Sequence, residues 1–67
     1  MMIPMQAISA QWAVTEAMKN PNRSLVEKAK LLLHGLHPLR IMQKFCEEGY
    51  GLSVAVAAVK TAEKEIQ

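Results

Sequence analysis

Five side chains in the middle of this 67-residue chain are of types that carry chemistry: His34, His37, Cys46, Glu47 and Glu48. Imidazole and thiolate both ligate zinc, so a metal site is the first use to weigh. The two histidines lie three residues apart, with Cys46 nine further on. On the helices set out below, His34 falls on a polar face, His37 in a turn and Cys46 on an apolar face. No fourth ligand stands at a recognisable spacing, so the expectation is a buried structural cysteine, two exposed histidines and no metal or other cofactor.

Nucleophilic catalysis by Cys46 would need a thiolate-stabilising setting and a third group to orient a histidine base. The chain contains no aspartate, and Glu47 projects from the helix away from the cysteine. Glu47 and Glu48 diverge by about 100° on a helix, so they read as a solvated helix end rather than an acid–base pair. Gly49-x-Gly51 follows a helix, not a strand, and lacks the context of a phosphate-binding loop. No enzyme activity and no small-molecule substrate are expected.

The elements that position these residues follow from size and composition. A chain of 67 residues makes a single domain, 1–67, and a core of that size supplies only about 3–5 kcal/mol. One cysteine excludes an internal disulfide, which leaves association as the source of extra stability. Hydrophobic residues form 51% of the chain, too many for intrinsic disorder, and just three are aromatic: Trp12, Phe45 and Tyr50. Strong helix formers dominate. The expected fold is all-α, a small bundle of about four short helices: a helical hairpin plus two flanking helices.

Punctuation places them. The first runs from about Met5 to Lys19 and stops at Asn20-Pro21-Asn22. The second opens with Ser24-Leu25-Val26-Glu27, read as a capping box, and continues to about Leu36. Gly35 and His37-Pro38 then favour a break over a single kinked helix from Leu25 to Glu48. Pro38 suits the first position of a third helix, which ends at Gly49. Ser53 is the expected cap of a fourth, running to about Ile66.

The second helix is amphipathic, with Leu25, Val26, Ala29, Leu32, Leu33 and Leu36 on one side and Leu31 as the exception. The third sets Leu39, Ile41, Met42, Phe45 and Cys46 against Arg40, Gln43, Lys44 and Glu47. These two are expected to pack as the hairpin. The outer helices are apolar on two sides. Met5, Ile8 and Trp12 form one stripe of the first helix, and Ala7, Ala10, Val14, Ala17 and Met18 another. Val54 to Val59 is apolar all round. Such helices must be buried on two sides, and so short a chain has few elements to do it. A protein partner, or a second copy in a homo-oligomer, is therefore expected to dock on Met5, Ile8, Trp12 and Val56. Trp12 is read both as a packed core residue and as an interface anchor.

A helix-turn-helix outline from Leu39 to Lys64 raises nucleic acid as the alternative partner, held by Arg40, Lys44, Lys60 and Lys64. The start of its reading helix, Ser53-Val54-Ala55-Val56-Ala57-Ala58, offers base edges nothing beyond one hydroxyl. The formal net charge is only +2. No segment reads as an export signal or a membrane span, so the cytoplasm is the expected compartment, with no membrane contact.

Overall fold

A computed structural model of the chain describes the backbone of residues 5–67 and the side chains of residues 12–67. Within them the chain forms four α-helices and no strand: α1 (Met5–Lys19), α2 (Arg23–Leu32), α3 (Pro38–Glu47) and α4 (Leu52–Ile66). The all-α expectation is met, and α1 ends at Lys19 as Pro21 requires.

Helix starts depart from the sequence reading in an instructive way. Ser24 does not cap α2. Asn22, extended at φ −70° and ψ 106°, takes that place, and its Oδ1 accepts from the Leu25 amide at 3.3 Å. Asparagine caps as well as serine does, and the earlier start adds helical residues at no steric cost. It also brings Arg23 within 3.8 Å of Glu27, one turn on. Ser53 likewise gives way to Gly51 at the start of α4, and no side chain caps that end. The Ala55 amide donates to Gly51 O at 2.9 Å, closing the first turn before Ser53 can serve as its cap.

At its other end α2 stops at Leu32, short of Leu36. The chain tightens there: the His34 amide donates to Leu31 O at 3.3 Å and the Gly35 amide to Leu32 O at 3.1 Å. These three-residue bonds are the usual terminal overwinding of a helix that cannot continue, here into Gly35 and Pro38. Leu36 is therefore left 40% exposed rather than on the core face. The chain breaks, as expected, at His37-Pro38. Pro38 is the first helical residue, and His37 is more than a turn residue: its Nδ1 accepts from the Leu39 amide at 3.1 Å, capping α3.

The C-terminus of α3 is closed by Gly49, which sits at φ 104°, a left-handed backbone region that favours glycine. The Gly49 amide donates to Cys46 O and the Tyr50 amide to Phe45 O, both at 3.1 Å. That pair of bonds is a Schellman motif, and the Tyr50 ring meeting the Phe45 ring is its customary apolar contact.

α4 is the organising element, since each of the other three helices packs against it. Ala55, Ala58, Val59 and Ala62 join Leu25, Val26 and Ala29 of α2 and Ile41 and Phe45 of α3 in one core. Ala57 is buried as well and lines a cleft with Ala17 at the end of α1. Alanines carry nothing beyond Cβ, so three helices approach α4 closely. Here the sequence reading is corrected twice. α2 and α3 pack on α4 more than on each other, so the expected hairpin is not a self-contained pair. The apolar start of α4 is also covered largely within the chain, without a second molecule.

Candidate interaction surfaces

Which apolar side chains remain outside is set by helical register. In α1, Ala13, Val14 and Ala17 are half-buried, whereas Trp12, Thr15 and Lys19 share the opposite side and are exposed. The first group is the side α1 turns to the bundle. Trp12 is 64% exposed, so the core reading of this residue fails and its indole faces outward. Met5 and Ile8 lie outside the described side chains.

Around α4, the faces taken by α1, α2 and α3 leave one side uncovered. Leu52, Val56, Lys60 and Glu63 fall on it at about 100° per residue. Leu52 is 66% exposed and Val56 half-buried. Sequence reasoning singled out Val56 and passed over Leu52, one turn earlier, because Leu52 precedes Ser53, the expected cap of that helix. Leu39, placed on the apolar side of α3 by spacing, is 67% exposed. It lies in the first turn, beyond the stretch of α3 that Ile41 and Phe45 press into the core.

Charges divide sharply. Arg23 donates to both carboxylate oxygens of Glu65, at 2.7 and 3.0 Å, and Lys30 Nζ reaches Glu65 Oε1 at 2.6 Å. These hydrogen bonds, from Arg23 first and then Lys30, hold the Glu65 carboxyl down from 4.5 to about 2. The same contacts raise Arg23 and Lys30 above their ordinary values. Lys28 Nζ lies 3.0 Å from Glu48 Oε1, linking α2 to the end of α3, and Lys19 pairs with Glu16 at 3.1 Å. Among the described residues, Arg40, Lys44, Lys60 and Lys64 have no carboxylate within ion-pair reach. They are the same four residues that the sequence offers to nucleic acid. Ala55, Ala57 and Ala58 of the helix-turn-helix outline lie in the interior, so the outer side of α4 is the one left to face a ligand.

The residues first weighed for chemistry are spread apart. His34 and His37 are exposed, Cys46 is a half-buried free thiol, and no group of three potential metal ligands gathers among the described residues. Glu48 is tied to Lys28, while Glu47 stands outward on α3. No helix among the described residues is long and apolar enough to cross a membrane. Comparison with protein-family models, with curated proteins and with solved structures finds no match for the chain.

Proposed function

We propose that the chain is a small non-enzymatic protein–protein interaction module, a regulator or adaptor that acts in the cytoplasm as a homo-oligomer or on a protein partner. It docks through the outward side of α1 headed by Trp12 and the Leu52–Val56 side of α4. The exposed indole of Trp12, on the side of α1 turned from the bundle, carries this reading. Tryptophan is enriched at binding hot spots, and exposed apolar area of this kind is costly to leave in water. The small core adds support, because association supplies stability that so short a chain lacks.

Molecular mass in solution by light scattering, with Trp12→Ala beside the parent chain, tests it. Association should weaken by more than about 1 kcal/mol in the variant, with helicity unchanged. A parent chain that stays monomeric at every concentration and brings no protein with it from its native host overturns the reading. The alternative, duplex DNA held by Arg40, Lys44, Lys60 and Lys64, is favoured by their lack of ion pairs among the described residues. It requires binding at low salt that falls steeply as salt rises.

A further inference from the structure

We infer that the outer face of α3 is a separate docking surface, built to hold an acidic amphipathic segment of a protein partner. Leu36, Arg40, Gln43, Lys44 and Glu47 line a shallow groove there. Arg40 and Lys44 stand one helical turn apart, and no carboxylate neutralises either among the described residues. The sequence has no acidic residue between Glu27 and Glu47, and the other two lysines in that span, Lys28 and Lys30, are already paired. Two unpaired cations therefore face a single carboxylate, Glu47, in this groove, whereas the lysines beside it are paired. Leu36, within the groove, is 40% exposed, and Leu39, outside its lining but next to Arg40 in the chain, is 67% exposed, so both offer apolar anchorage near the cations.

Charge and shape together select the occupant. Carboxylates spaced by one turn on a partner helix match Arg40 and Lys44 at the same spacing, with the guanidinium able to grip one of them with two parallel hydrogen bonds. An apolar residue of that helix then covers Leu36 and Leu39, the usual division of labour when a helix lies in a groove. Glu47 repels carboxylate at the far end, which fixes the direction of the bound segment. A nucleic acid would leave both leucines without a partner, and two cations are few beside the roughly 6–10 phosphate contacts of strong binders. An anionic lipid surface favours a projecting apolar tip, whereas Leu36 belongs to a groove that ends in a carboxylate.

A displayed library of random peptides, selected on the full-length chain, tests the assignment. Enriched peptides should carry glutamate or aspartate one turn apart with an adjacent large apolar residue. Fluorescence anisotropy with the enriched peptides should show affinity reduced about tenfold or more by Arg40→Glu with Lys44→Glu, and by Leu39→Gln. All three positions are exposed, and circular dichroism confirms that the variants keep their helices. Peptides without acidic bias, or acidic peptides that bind the charge-reversed variant equally well, overturn the proposal. So does a chain whose Arg40 and Lys44 are needed for phosphatidylserine vesicles or duplex DNA but not for any selected peptide.

Discussion

The ring of Tyr50 stands edge-on to that of Phe45, with centroids 6.2 Å apart and planes at 72°, across the left-handed turn at Gly49. Phe45 is wholly buried and Tyr50 is exposed, so the contact ties the end of α3 to the core from outside. Gly49 makes it geometrically available, because its positive φ reverses the chain within one residue.

Gly49→Ala should accordingly destabilise the chain by about 1–2 kcal/mol, the usual cost of a left-handed conformation in a residue with a Cβ. The space around Gly49 is open, so the cost is conformational rather than steric crowding by neighbours. Tyr50→Ala should cost about 0.5–1.5 kcal/mol beyond its area burial. Urea unfolding followed by circular dichroism measures both, and an unchanged midpoint in Gly49→Ala would show that α3 ends differently.

Capping provides a sharper contrast. Asn22→Ala should lower stability by about 1 kcal/mol, whereas Ser24→Ala should leave it within a few tenths. The reverse ranking would restore the Ser24-x-x-Glu27 box that the sequence suggests.

The Glu65 carboxylate, gripped by Arg23 and Lys30, makes stability depend on acid pH. Its folded value, about 2, lies below its ordinary 4.5. The stabilisation is thus fully present above pH 4.5, fades as pH falls and is gone below about 2. Glu65→Gln should therefore be less stable than the parent at neutral pH, with the two unfolding midpoints converging across that window. Parallel curves at all pH values would mean that the clamp does not persist in solution.

Phe45 is among the largest of the fully buried side chains. Phe45→Ala should cost about 3–5 kcal/mol, comparable to the whole stability expected of so small a core. The expected outcome is loss of cooperative thermal unfolding. Leu31→Ala, at an exposed position of α2 outside the docking sides, should unfold much as the parent does.

The sequence made the helices themselves legible, because Asn20-Pro21-Asn22, His37-Pro38 and Gly49-x-Gly51 interrupt otherwise continuous helix formers. Ile41 and Phe45 were readable as core from a strong amphipathic period. Leu36 and Leu39 were not, since they flank a break whose position decides whether their wheel angle has any meaning. Ser24 and Asn22 are chemically equivalent as caps, and tertiary placement of Arg23 beside Glu65 distinguishes them. The apolar girth of α4 revealed that it had to be enclosed, but periodicity cannot say whether the enclosure comes from the same chain. Trp12 posed the same question on α1, and its outward placement leaves the indole exposed.

That α1, α2 and α3 all lean on α4 has a consequence for biosynthesis. The three earlier helices leave the ribosome with their apolar sides uncovered, and the segment that shields them is translated after them all. Assembly of the core therefore waits for Leu52–Ile66, and nascent chains halted before residue 52 should remain chaperone clients and ready substrates for proteases.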